Sequence, residues 1–163
     1  MAIKEVKRIS LDELCSQVVR LVALRGTCLR HNVGALLFKD GNIISIGYSG
    51  ACKNVEHCSD SLNCIRDNHD IISGTQVEFC FSPHAELNAI LNAAKIGISV
   101  KDSILWVTHK PCLSCLKAAI NADILKVRYL EDYGNKQEFS TLLYQKLVQQ
   151  SGLILEHYVE EII

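Results

Sequence analysis

Four residues in two short segments constrain this chain more than anything else in it: His84-Ala85-Glu86 and, further on, Pro111-Cys112-Leu113-Ser114-Cys115. One imidazole and two thiolates fill three corners of a zinc tetrahedron, and a fourth corner left to water separates a catalytic zinc from a closed structural one. Any fold of this chain must bring His84, Cys112 and Cys115 to one point, with Glu86 beside the metal as a proton carrier that does not ligate it. A lone Cys-x-x-Cys also suits a redox motif or a zinc knuckle, and the His-x-Glu pair is what lifts the combination above those readings.

Both segments fall where helices are expected to begin. Ser82 is the expected N-cap, with Pro83 at the first helical position of a helix from about His84 to Ala94 that Gly97 ends. A second helix is expected from Pro111 to about Asn121. Helix N-termini offer free N–H groups and a positive dipole end, which favour thiolates and a metal-bound hydroxide. Cys112 and Cys115 are spaced to share one helix face.

Around these, Leu11, Leu14, Cys15, Val18, Leu21 and Val22 recur with a helical period, predicting a helix from Leu11 to Leu24 with Cys15 in the core. Val33 to Phe38 and Ile43 to Tyr48 read as strands, joined by a tight hairpin at Asp40-Gly41. Further strands are expected at Ser103 to Thr108, Lys126 to Leu130 and Leu153 to Tyr158, with a helix at Phe139 to Gln149. Helices alternate with strands, which predicts an α/β layered fold with a mixed sheet, and 163 residues suit a single domain over 1–163.

The composition, 48% hydrophobic and 21% charged, is that of a globular chain. A net charge of −1 argues against a nucleic-acid polymer as partner, because enzymes acting on one usually carry a basic face. No apolar run approaches a bilayer's thickness, and Met1 to Arg8 lacks the apolar core of a secretory signal. Eight cysteines in such a chain point to a reducing compartment, the cytoplasm, and to metal binding or catalysis over disulfides.

Besides Cys15, five of those cysteines precede His84, and Ala51 to Phe81, polar and weakly periodic, is too long for an unsupported loop. A closed second zinc site would organise it, with Cys28, Cys58, Cys64 and Cys80 as candidate ligands and His57 or His69 as substitutes. Buried free thiols are the plain alternative. His31, His109 and His157 read as ordinary polar residues.

His-x-Glu followed by Pro-Cys-x-x-Cys is the pattern of the zinc nucleobase deaminases. The chemistry expected from it is a zinc-bound hydroxide attacking the ring carbon that bears an amine, with Glu86 carrying protons from the water to the ring nitrogen and the leaving ammonia. The chain moreover resembles the deoxycytidylate (dCMP) deaminases of the bacterial late-competence and phage type. The resemblance covers roughly residues 10 to 135. It rests on Thr27-Cys28-Leu29-Arg30, Val33-Gly34-Ala35, Gly47-Tyr48-Ser49-Gly50, His57-Cys58, His84 to Leu91, Val107 to Cys115 and Tyr129 to Tyr133.

That resemblance implies a three-layer αβα cytidine-deaminase-like fold with a central five-stranded mixed sheet. It also implies a homo-oligomer converting dCMP to dUMP for pyrimidine deoxynucleotide synthesis, control by dCTP and dTTP, and a structural zinc involving the positions of Cys28 and Cys58. The chain departs from the family at Ser49, where relatives carry an asparagine that contacts base and sugar, and at Cys52. A serine is shorter and lacks the amide's donor–acceptor pair. Ser49 and Thr108 are candidate substrate contacts, and Arg30 is a candidate for the phosphate, with a plain surface arginine as its alternative. Ser49 keeps open a different small amine as substrate, such as dCTP, a nucleoside or a modified base. A non-catalytic zinc-stabilised module is the reading from another class, and the presence of Glu86 weighs against it.

Overall fold

Side-chain alternation along three strands divides the molecule into layers. In the computed structural model, which describes residues 8–132 and 138–160 with the side chains of 138–140 excepted, Ala35, Leu37, Leu105, Val107, Val127 and Tyr129 all face one side of the sheet. Leu36, Trp106 and Leu130 face the other. The start of the chain read for a signal, Met1 to Lys7, and Tyr133 of the matching run lie outside the described residues.

The strands are β1 (Gly34–Lys39), β2 (Asn42–Tyr48), β3 (Ile104–His109), β4 (Lys126–Glu131) and β5 (Ile154–His157), in the order β2-β1-β3-β4-β5. β1 pairs antiparallel with β2 and β3, and the β3–β4 and β4–β5 pairs are parallel, so the sheet is mixed. The β1–β2 hairpin turns at Asp40 (φ 49°) and Gly41 (φ 80°), two left-handed residues that match the twist of the strands. β3 is buried on both faces along Leu105 to Thr108, as a central strand covered by helices on both sides requires.

Helix α1 (Leu11–Ala23) covers one face, where Cys15 and Val19 meet Leu36 and Trp106. Ser10 caps it by accepting from the Glu13 N–H at 3.0 Å. The helices α4 (Ala85–Lys95), α5 (Leu113–Asn121) and α6 (Glu138–Ser151) cover the other face, giving the three-layer αβα arrangement. α1 and α4 each approach the β1–β2 hairpin so closely that a Cβ on Gly34 would stand 2.4 Å from the Val19 carbonyl oxygen, and one on Gly47 would stand 2.3 Å from that of Ala85. Two asparagines of α4 bind the edge strand β2: Asn88 donates to the Tyr48 carbonyl and Asn92 to that of Ile46, each at 2.9 Å.

Two helix starts differ from expectation. The N-cap of α4 is His84 and not Ser82, because the His84 carbonyl accepts the first helical bond, from the Asn88 N–H at 3.0 Å. Pro83 therefore stands before the cap, and the Ser82 hydroxyl donates to the Pro83 carbonyl instead. Cys112 likewise caps α5, accepting from the Leu116 N–H at 2.9 Å, so Pro111 lies outside the helix. The far end of α4 is as expected. Gly97 has φ +71°, and Ile98 N–H bonds back to the Ala93 carbonyl while Gly97 N–H bonds to that of Ala94, a Schellman closure.

Residues 51–81 contain only two single-turn helices, α2 (Cys58–Ser61) and α3 (Ile65–Asn68). Polar ties hold this insert in place. Arg30 donates from Nε to Asp67 and from Nη2 to the Ile71 carbonyl, both at 2.7 Å, Ser59 N–H bonds to the Thr27 carbonyl, and Cys52 N–H to that of Phe81.

Candidate metal centre and active site

The first residue of two helices meets at one point. His84 and Cys112, each in extended backbone at its cap position, project back from α4 and α5 toward one another. His84 Nδ1 lies 3.3 Å from Cys112 Sγ and 3.4 Å from Cys115 Sγ. Tetrahedral zinc with ordinary Zn–N and Zn–S bonds sets such atoms about 3.5 Å apart, so the donor set has the right chemistry and nearly the right spacing before any metal enters. Among the described residues, this is the group of His, Cys, Asp and Glu side chains whose ligand atoms all lie within 4.8 Å of one another.

The electrostatics agree with a soft cation site. The hydrogen bond from Cys115, with help from His84, pulls the Cys112 thiol down to about 4. The Cys115 thiol is held up by that same bond and by burial, since a second thiolate beside the first is opposed. His84 is raised, chiefly by its bond to Cys112. A divalent cation would resolve this competition by neutralising both sulfurs.

Glu86 stands in the first turn of α4, only 4% exposed. Burial pushes its carboxyl up, with the charge of His84 opposing. A buried carboxyl displaced in that direction holds a proton more readily than an ordinary carboxylate, which suits a general acid and base.

The weaker candidates have other engagements. The Ser49 hydroxyl donates to the His31 carbonyl and accepts from the Val33 N–H, both at 3.1 Å. The Thr108 hydroxyl accepts from the Gly34 N–H at 3.2 Å and shares a bond of 3.0 Å with His109 Nδ1. Arg30 spends its guanidinium on Asp67 and the insert, with a side chain only 13% exposed, so its bidentate face is not offered to a phosphate. Nη1 of Arg30 is buried with no partner.

Cys58 and Cys64 are buried, Cys28 and Cys80 half-buried. The four are close enough for burial first, and then Cys80, Cys64 and Cys28, to push the Cys58 thiol up. Cys64 in turn helps hold the Arg30 guanidinium above its ordinary range, after the larger effect of Asp67. They do not meet as tightly as the first group. His57 is spent elsewhere: its Nδ1 accepts from the Ala51 N–H at 3.3 Å and bonds to the Thr27 hydroxyl at 3.0 Å, which places its proton on Nε2 and leaves no lone pair for a metal.

His31 and His109, ordinary polar residues in the sequence, form a pair in the fold. Their rings lie 6.5 Å apart, edge to face, beside the loop that leads to Cys112. No periodic pattern marks them, because one precedes β1 and the other ends β3.

Comparison with known proteins converges on one group. Residues 9–131 match the zinc-binding region of cytidine and deoxycytidylate deaminases. The chain is 36% identical over 152 residues to ComE operon protein 2 of Bacillus subtilis, spanning 93% of this chain and 72% of that one. It is 33% identical over 160 residues to the deoxycytidylate deaminase of phage T4, spanning 78% and 81% of the two chains. Against the deoxycytidylate deaminase of Schizosaccharomyces pombe, 28% identical, it spans 93% of its own length but 45% of the relative's. Among solved structures, the dCMP deaminase of cyanophage S-TIM5 in complex with dCMP and dUMP superposes with a TM-score of 0.70 at 26% identity, over 93% of this chain and 100% of that one.

Proposed function

The chain belongs to the cytidine and deoxycytidylate deaminase family of zinc-dependent hydrolases, and from that premise we propose that it converts dCMP and water to dUMP and ammonia, supplying pyrimidine deoxynucleotide synthesis. The observation that carries the reading is the buried Glu86 in the same first turn as the cap residue His84, whose Nδ1 lies within 3.4 Å of both Cys112 and Cys115 sulfurs. The relatives named for dCMP support the substrate.

His84, Cys112 and Cys115 would hold the zinc, which when bound supplies the Lewis acidity that makes water a nucleophile at neutral pH. Glu86 takes a proton from the attacking water and places it on the ring nitrogen next to the carbon under attack. As the new C–O bond becomes a carbonyl, Glu86 returns the water's second proton to the amino nitrogen, the C–N bond breaks, and ammonia leaves. Burial keeps the carboxylate out of bulk water, so the proton goes to the substrate and not to solvent.

A second zinc on Cys28, Cys58, Cys64 and Cys80 is part of the same proposal. It is supported by the mutual influence of the four thiols and by the unpartnered Arg30 Nη1, a donor suited to a thiolate cluster, with Cys64 acting on that same guanidinium. We further expect a homo-oligomer activated by dCTP and inhibited by dTTP, which ammonia assays with each nucleotide and sedimentation will read directly.

The decisive test offers purified, zinc-loaded protein dCMP, dCTP, deoxycytidine and CMP separately and measures ammonia. Preference for dCMP is the expected result. Turnover of another member alone relocates the activity within the deaminases, and silence on all four, with and without dCTP, overturns the reading.

A further inference from the structure

Ser49 and Thr108 have the character of substrate contacts in the sequence, yet each hydroxyl is spent on a histidine segment. Ser49 brackets the loop before β1, donating to the His31 carbonyl and accepting from the Val33 N–H. Thr108 ties β1 to β3 through the Gly34 N–H and bonds the His109 ring at Nδ1. What these serve is the pair of imidazoles they hold.

Alternation tells which way the pair faces. Val33 packs with Ala35 and Leu37 into the core beneath α4 and α5, and His31, which precedes β1, is placed by its ring contact with His109. His109 follows Leu105 and Val107 on the same side of β3. That is the side of the sheet from which His84 and Glu86 project. His109 is fixed at both nitrogens, by Thr108 and by Glu131 at 3.3 Å, and its side chain is 16% exposed. His31 is exposed, steadied by Ser73 of the insert at 2.9 Å, and stands edge-to-face with His109 at 61°.

We propose that His31, backed by His109, is the platform on which the substrate's pyrimidine ring stacks, and that Ser49 is the positioning residue that sets it. The inference rests on the nucleotide reading given above and names a binding residue within it. An exposed planar ring, paired with His109 three residues before Cys112, gains from a nucleobase regardless of its hydrogen-bonding pattern, and it supplies by surface contact what a serine cannot supply as an amide. Burial lowers His109 against the opposing charge of Glu131, and His31 beside it adds to the lowering.

The test compares His31→Ala, His31→Phe, Ser49→Ala and the Ala/Ala double variant, each zinc-loaded. Calorimetry reads dUMP binding and steady-state assays read KM and kcat for dCMP. His31→Ala is expected to weaken dUMP binding and raise KM by about tenfold, with the loss falling on KM and not on kcat. His31→Phe should recover most of it, because the ring is what matters. Ser49→Ala should weaken binding less, and the double variant should be no worse than His31→Ala, the non-additivity expected when one residue acts through the other. Dissociation constants for His31→Ala within twofold of the unsubstituted chain, or a phenylalanine no better than alanine, overturn the inference and leave the nucleotide reading standing. An unsubstituted chain that neither binds dUMP nor turns over dCMP removes that reading and this inference with it.

Discussion

In the proposed reaction a single carboxylate carries the difference between a zinc site and a deaminase. Glu86 is 4% exposed in the first turn of α4, two positions from the cap residue His84 of the metal group. Glu86→Gln keeps the shape and loses the proton carrier. We expect it to fold and retain zinc while turnover falls by at least about 10²-fold, the usual range for a positioned general acid or base. Metal content and circular dichroism establish the fold, and ammonia release measures the loss. Turnover near the unsubstituted level would exclude Glu86 as the shuttle.

The elements matter through how closely they approach. α4 brings both His84 and Glu86, and its position is set by β2, whose Gly47 leaves room for the helix backbone. A Cβ at Gly47 would stand 2.3 Å from both the Ala85 carbonyl oxygen and the Ala89 nitrogen, which are main-chain atoms with nowhere to retreat. Gly47→Ala should therefore cost about 1–3 kcal/mol of stability or more and push the start of α4 off its place, so activity falls with the melting temperature. Gly41→Ala makes a useful contrast. Nothing lies within 4 Å of its Cβ, but its φ of +80° penalises any side chain, so stability should drop while the residual folded protein keeps its activity. Thermal unfolding with activity measured below the transition separates the two cases.

At the scale of the whole molecule, the insert of residues 51–81 contributes no side chain to either hydrophobic core cluster of the described residues. Among the described residues it consists of two single turns and loops, tied to the body by Arg30, Thr27 and its own backbone bonds. If the four cysteines hold zinc, metal supplies the cohesion that a core supplies elsewhere. We expect elemental analysis to give about two zinc ions per chain, Cys58→Ser to lower this to about one, and proteolysis of that variant to begin within the insert. A ratio of one in the unsubstituted chain would remove the second site. Among the described residues, no helix is long and apolar enough to cross a membrane.

The sequence by itself determined the layers and the residues of the candidate metal group, and did so for a physical reason. Alternation and helical period are local properties, and so is the Asp40-Gly41 hairpin, whose two left-handed residues leave the chain little choice. His84, Glu86, Cys112 and Cys115 announce themselves because zinc chemistry restricts residue type and spacing at once. The helix starts were legible only to within two or three residues: Ser82 and Pro83 have the composition of a cap, but the carbonyl that accepts the first bond belongs to His84. Tertiary structure decided the rest. Arg30 has the chemistry for a phosphate, yet Asp67, 37 positions away, takes its guanidinium. Ser49 and Thr108 could have faced a substrate, but each hydroxyl has a fixed number of partners and the fold supplies them from other strands and loops. His31 and His109 become a pair only because β1 and β3 run antiparallel, which sets the start of one beside the end of the other. Partners distant in sequence leave no mark in any local pattern, so the assignment of a polar side chain to substrate or to scaffold waits on the packed molecule.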